Sequence, residues 1–253
     1  MPVGVSEEHE ALRRSVRRWV EAHCPPSVVR AGLEAGPERR PPFWAELARQ
    51  GWLGLHLPEH HGGEGYGLSE LAVVLEELGR ACAPGPFLPT VLASAAIAAW
   101  GGEGLRAQLL PGLAAGSAAG ALAFGAGCFR AEPMDPGVGR AGSLRLDGSV
   151  RPVLGGTLAD VVVVPASSAE GEVWCVVPAA ALDVEAIEGL DPTRGLAQLR
   201  GRAVEVGPEA RLSPADSDQV VDLAAVLIAA ESASGGAACG AACRASRRPV
   251  RGS

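Results

Sequence analysis

Lysine is absent from this 253-residue chain, and all of its permanently cationic side chains are arginine. With alanine and glycine abundant, that reads as the coding bias of a GC-rich gene rather than as a binding surface. Aromatic residues are scarce, at 4%. Positive charge is in deficit too: the formal net charge is −7. Such a balance argues against non-specific attachment to nucleic acid or anionic lipid. The opening MPVGVSEEHE has no apolar h-region, so no signal peptide is visible. No uncharged apolar run reaches the ~18 residues that a membrane-spanning helix needs. A disulfide framework is lacking as well. Cys24, Cys82, Cys128, Cys175, Cys239 and Cys243 are scattered, which fits reduced thiols in the cytoplasm. What is present, 47% hydrophobic and 20% charged residues, is a globular composition with enough chain for one or two domains.

The first half reads as helices. Ser6 can cap a helix carrying Leu12, Val16, Trp19 and Val20 on one face, and Pro25-Pro26 should stop it. A loop rich in Pro, Gly and Arg is expected next. Phe43, Leu47 and Ala48 mark a short helix, with Gly51 suited to the position just past its end. Ser69 can cap a third helix bearing Leu71, Val74, Leu75 and Leu78. An Ala-rich fourth should run from about Pro89 to Trp100, and a short fifth from Leu105 to Leu110, ended by Pro111. Near Ser117 the pattern changes. AGALAFG, SLRLDGSV, ADVVVVPA, EVWCVVPA and LAQLRGRAVEV are short, β-rich segments, and Asp147-Gly148 is a hairpin-type turn signal. From Ala215 a helical stripe returns with Val220, Leu223, Ala224 and Leu227, reaching about Ala233. The tail SGGAACGAACRASRRPVRGS has no stripe. It reads either as a disordered terminus or as out-of-frame translation after a frameshift. The second is favoured, because a good apolar helix is cut off mid-course, and its face of Val220, Leu223 and Leu227 should then lie exposed.

The fold class expected from this order is α+β. A helical domain spans 1–117, a small antiparallel β domain of barrel or sandwich type spans 118–212, and the start of a C-terminal helical bundle spans 213–253. Residues Gly51 to Gly67 read GWLGLHLPEHHGGEGYG, followed by LSELAVVLEELGR and ACAPGPFLPTVLA. This run resembles the N-terminal domain of the acyl-CoA dehydrogenases, whose usual pattern is G-W-x-G-L-x-x-P-E-x-x-G-G-x-G and then E-E-L-G-R. LRLDGSVRPVLGGTLADVVVVPA and LDPTRGLAQLRGRAVEV are similar to that family's β-domain segments, so the likeness extends from about Ser6 to Ala233.

The resemblance implies an FAD enzyme that desaturates an acyl-CoA thioester. A carboxylate takes a proton from the acyl Cα, and the flavin takes a hydride from Cβ. The family's base belongs to the C-terminal helical domain, so no catalytic residue is assigned here; Glu231 comes too early in the pattern. Family members place Thr-Glu-Pro beside the flavin ring, where this chain has Gly125, Ala126 and Gly127. They also carry G-[ST]-K-x-[WF]-I-[TS]-N-G, where Gly148 to Gly156 stand here. Pro152 replaces the aromatic residue and Leu154 the hydroxyl residue. The flavin-facing positions implied are therefore Phe124, Gly125, Val153 and Leu154, with backbone N–H groups other than that of Pro152 left to serve. Implied partners are an acyl-CoA substrate, an electron-accepting flavoprotein and further subunits, identical or different. Loss of the hydroxyl and aromatic positions leaves two other readings open: a catalytically silent subunit of a heteromeric dehydrogenase, or an inactive fragment.

Other motifs carry less. Gly137-x-Gly139-x-x-Gly142 spells a dinucleotide fingerprint, but an alternating strand follows where a helix is required, so a β–β connection is the better reading. His56, His60 and His61, with Glu59, read as loop residues, solvated or packed, rather than as zinc ligands. Glu76 and Glu77 fall on a solvated side or a subunit contact. Asp191 and Arg194 read as residues that stabilise a turn or pair with each other rather than catalyse, with a subunit-interface role left open, and the face from Ala93 to Ala99 as close helix packing. Cys239 and Cys243 have no partner ligands nearby, and no metal is expected.

Overall fold

A computed structural model describes residues 6–34, 38–134, 140–191, 193–213 and 215–246, beyond 233 as backbone alone. Helix α1, Glu7–His23, begins where expected. The Ser6 hydroxyl accepts the His9 N–H at 3.2 Å and His9 answers at the Ser6 N–H. The loop expected next is instead a second helix, α2, Pro26–Glu34. Pro26 occupies its first position, where the missing N–H would have no helical partner anyway. Helix α3, Trp44–Arg49, ends before Gly51, whose φ of 74° is left-handed. Helix α4, Leu68–Arg80, starts one residue ahead of the expected cap. The Glu70 carboxylate, not Ser69, takes the Gly67 N–H, at 2.9 Å. Helix α5, Phe87–Trp100, is buried over most of its length. Helix α6, Glu103–Ala114, runs through Pro111 rather than stopping there. Pro111 lies so near the end that it removes only one backbone bond.

The sheet has eight strands: β1 Gly120–Leu122, β2 Phe129–Pro133, β3 Leu144–Leu154, β4 Val161–Ser168, β5 Gly171–Pro178, β6 Asp183–Ile187, β7 Leu196–Val206 and β8 Arg211–Leu212. Their order is β6-β7-β3-β2-β4-β5-β8, with β1 also on β4. Most pairs are antiparallel; β4 meets β1 and β2 in parallel. Asp147-Gly148 is not a hairpin turn. It sits inside β3 at an irregularity in the β3–β7 register, where the Asp147 carboxylate accepts the Ala203 N–H at 2.8 Å. The segment 137–139 of the glycine fingerprint lies outside the described residues. Its flanks are β2 and β3, so no helix follows it.

Side-chain alternation joins the two halves. On β4 and β5, Val163, Trp174 and Val176 face the helices, whereas Val162, Val164, Cys175 and Val177 face a second core with Phe129, Val150 and Leu199. Helix α5 lies directly on β1. A Cβ at Gly120 would stand 2.6 Å from that of Ala93, so the Ala-rich face is a close-packing surface as expected.

Helix α7, Ser217–Ser246, packs on α4 and α5. It passes the expected end near Ala233, as its many alanines favour; residues 247–253 lie outside the described residues. Val220, Ala224 and Leu227 are buried in the helical core, so the apolar face expected to be exposed is covered. Val221 and Val226 face outward instead. Glu77 likewise is no solvated residue. It is 1% exposed and accepts two hydrogen bonds from Arg17, at 2.6 and 2.9 Å, and one from Arg80 at 3.0 Å. Burial alone would raise its pKa. The hydrogen bonds from Arg17 and Arg80 outweigh that and hold the carboxyl below its usual range. Among the described residues no helix is long and apolar enough to cross a membrane.

Candidate functional site

The positions assigned to a flavin fall on the loop after β1 and on the second half of β3. Gly125 lies against the Arg151-Pro152 backbone. A Cβ on Gly125 would stand 2.5 Å from the Pro152 carbonyl oxygen, and one on Gly127 would stand 2.5 Å from that of Ser149. The Arg151 N–H donates to the Ala126 carbonyl at 3.1 Å. The structure therefore brings Gly125 and the 151–154 segment together. It does so by closing the loop onto the strand, a contact that only glycine permits. Phe124 is 37% exposed beside this closure. Val153 is 1% exposed and belongs to the sheet core. Leu154 packs against the helical core.

Donors are few in this segment. The N–H groups of Arg151, Gly155 and Gly156 go to the carbonyls of Ala126, Gly195 and Val153, at 3.1, 2.9 and 3.4 Å, and Pro152 has none. A hydroxyl at 125 would collide with backbone, and Val153 and Leu154 bring only apolar groups. These residues offer a flavin no side-chain hydroxyl, whereas the N–H groups of Phe124, Gly125, Ala126 and Gly127 meet no acceptor among the described residues and remain as backbone donors.

A second junction lies where α4, α7 and the turn before β7 meet. A Cβ on Gly79 would stand 2.0 Å from the Glu231 carbonyl oxygen, so the two helices approach as closely as backbones can. The Glu231 carboxylate receives Arg194 at 2.6 Å. Burial raises the Glu231 pKa, and the Arg194 charge opposes that rise. Asp191 stabilises the turn, accepting the Thr193 N–H at 2.9 Å, and stands 3.8 Å from Arg194. The expected Asp191–Arg194 pair is present, but Glu231 is the nearer partner. Nothing in the local sequence joins residues 37 positions apart.

The histidines divide. His56 turns to the Ser94 hydroxyl at 3.2 Å, and burial pushes its pKa down to about 4. His60 and His61 instead meet Glu103 at the start of α6.

A helical module laid on an antiparallel-dominated sheet, with a further helix returning across both, defines a class: the fold of the flavin-linked dehydrogenases of acyl thioesters. Residues 6–117 match the family model of the acyl-CoA dehydrogenase N-terminal domain. The Mycobacterium tuberculosis acyl-CoA dehydrogenase IpdE2 is 34% identical over 226 residues, covering 89% of this chain and 59% of that protein. A variant of the Tcur3481–Tcur3483 steroid ACAD superposes with a TM-score of 0.84 at 32% identity, over 98% of this chain and 69% of that one. The ChsE4–ChsE5 complex of Mycobacterium tuberculosis also gives 0.84, at 26% identity, over 99% and 70%. This chain belongs to the acyl-CoA dehydrogenase family. It spans 59% of the length of IpdE2.

Proposed function

We propose that this chain is a subunit of an acyl-CoA dehydrogenase that desaturates an acyl-CoA thioester between Cα and Cβ. In this proposal the FAD is held mainly by another subunit. One observation carries it. The loop at Gly125 is closed on Arg151-Pro152, and the carbonyl oxygens there would collide with any side chain bearing a hydroxyl. The chain's own part is then architectural. Helix α5 on β1 and helix α7 on α4 set the shape against which a thioester and a partner's flavin dock. FAD supplies the hydride acceptor when bound, and a separate flavoprotein takes the electrons onward. The acyl group is a bulky one, of steroid type, as the name of the similar Tcur3481–Tcur3483 steroid ACAD suggests. The setting is the cytoplasm, where the free thiols of Cys24, Cys82, Cys128 and Cys175 stay reduced.

The alternative is an FAD enzyme in its own right, with Phe124, Gly125, Val153 and Leu154 offering backbone and apolar contacts to the ring. Absorbance in the flavin bands separates the two. The chain purified alone should be colourless and folded. Co-expressed with a flavin-bearing family subunit, it should co-purify in a yellow complex that bleaches anaerobically with a steroid-side-chain acyl-CoA. A chain that is yellow alone would support the alternative and overturn the main reading.

A further inference from the structure

We propose that His60, His61 and Glu103 form a binding site for a divalent transition-metal cation, zinc by preference, that staples the glycine-rich loop to helix α6. The site does not depend on the reading of the flavin segments. It lies between the short Glu59–His61 turn and the first residue of α6. One ligand atom from each of the three side chains falls within 4.8 Å of the others.

The second observation concerns His61 alone. Its ring is 2% exposed, and its Nε2 is buried with no hydrogen-bond partner. A buried imidazole nitrogen left unpaired is costly, and such atoms call for an explanation. The nearest opposite group is the Glu103 carboxylate, 3.5 Å from Nε2. That is longer than the ~2.9 Å of an ordinary hydrogen bond. It is close to the ~3.3 Å edge of a tetrahedron built on ~2.0 Å metal–ligand bonds.

The second imidazole favours a metal over a simple ion pair. The His60 and His61 ring centroids are 4.1 Å apart with planes at 49°, so the rings are tilted rather than stacked flat. A simple ion pair with Glu103 would engage one imidazole only, His61 at 3.5 Å. A divalent cation accepts both rings in their neutral form and keeps the carboxylate ionised. Two imidazoles and one carboxylate are a donor set suited to zinc, with an outer position left for water because His60 and Glu103 are exposed.

The placement explains what the ion would do. The loop from Pro58 to Gly67 is folded tightly on itself. The Gly63 N–H donates to the Pro58 carbonyl at 3.1 Å and the Gly65 N–H to that of Leu57 at 2.9 Å. It rests against α6, where a Cβ at Gly62 would come into ordinary contact with Pro111, at 3.6 Å. A cation bridging the two histidines to Glu103 would fix one edge of the loop to the start of α6.

The test uses the full chain, stripped with a chelator and titrated with Zn2+ by calorimetry, then loaded with Co2+ for spectroscopy. The expected result is one equivalent bound, a raised melting temperature, and the visible absorption of tetrahedral Co2+ without a sulfur charge-transfer band. His60→Ala and Glu103→Gln alter exposed side chains and should leave the circular dichroism unchanged. Each should weaken binding at least about tenfold. Three results would overturn the proposal: no binding by the unaltered chain, equal binding by the double variant H60A/E103Q, or a sulfur–cobalt band that moves the ion to the cysteines.

Discussion

Replacing Gly79 with alanine puts the docking of α7 to a direct test. Inside a helix, alanine is normally better than glycine by ~0.8–1 kcal/mol. At Gly79 the added Cβ would meet the Glu231 carbonyl oxygen at 2.0 Å. Carbon and oxygen settle at roughly 3.3 Å, so α7 must retreat by more than ~1 Å. That retreat pulls on the Arg194 contact to the Glu231 carboxylate, now 2.6 Å long. Overpacking of this kind costs ~1–3 kcal/mol, and a clash with backbone falls at the upper end. After subtracting the helix gain, Gly79→Ala should destabilise the chain by ~1–2 kcal/mol. Gly32 in α2 is the control. A Cβ there meets nothing within 4 Å, so Gly32→Ala should stabilise by ~0.5–1 kcal/mol. Urea unfolding of the two variants reads the difference. If Gly79→Ala is as stabilising as Gly32→Ala, α4 and α7 do not meet as described.

Three further outcomes follow from the same packing. Glu77→Gln should cost on the order of 2–4 kcal/mol by denaturant unfolding, short of a fully buried pair because Arg17 stays 45% exposed. The Glu77 carboxyl titrates below its unfolded value, so its contribution is full above the ordinary glutamate range and disappears as pH falls through the depressed value. The gap between the native chain and Glu77→Gln should therefore narrow in acid; a gap that widens would contradict the pairing. Leu227→Ala, at a fully buried position, should lower stability by ~2–5 kcal/mol, and a loss under ~1 kcal/mol would show that α7 is not seated. Gly125→Thr restores the family's hydroxyl but should destabilise by ~1–3 kcal/mol without bringing flavin absorbance, because the Pro152 carbonyl occupies the space.

How far these features could be read in advance depends on whether the information is local. The first helix was legible from Ser6 and its apolar spacing, and the left-handed Gly51 from its place after a helix. The helices at Pro26–Glu34 and beyond Pro111 were not, because a proline at either end of a helix is tolerated while one in the middle is not. The β segments around Val161 and Val173 announced themselves by β-branched content. Strands β2, β6 and β8 did not, being short and partly polar. Asp147-Gly148 misled because the same dipeptide serves a hairpin turn and a strand irregularity, and only the partner strand decides between them. At the flavin segments the missing hydroxyls were visible in the sequence. That the loop had also closed on Arg151-Pro152 was not, since a glycine's reason lies in what it touches. Glu103, about forty residues from His60 and His61, carries no local signal at all.

The most direct measurement is flavin stoichiometry: extract the cofactor from the purified chain, and separately from its complex with a flavin-bearing family subunit, and count flavins per protein. A bare chain, with flavin in the complex at fewer than one per polypeptide, is the outcome expected. One tightly held flavin per isolated chain would contradict a loop closed at Gly125.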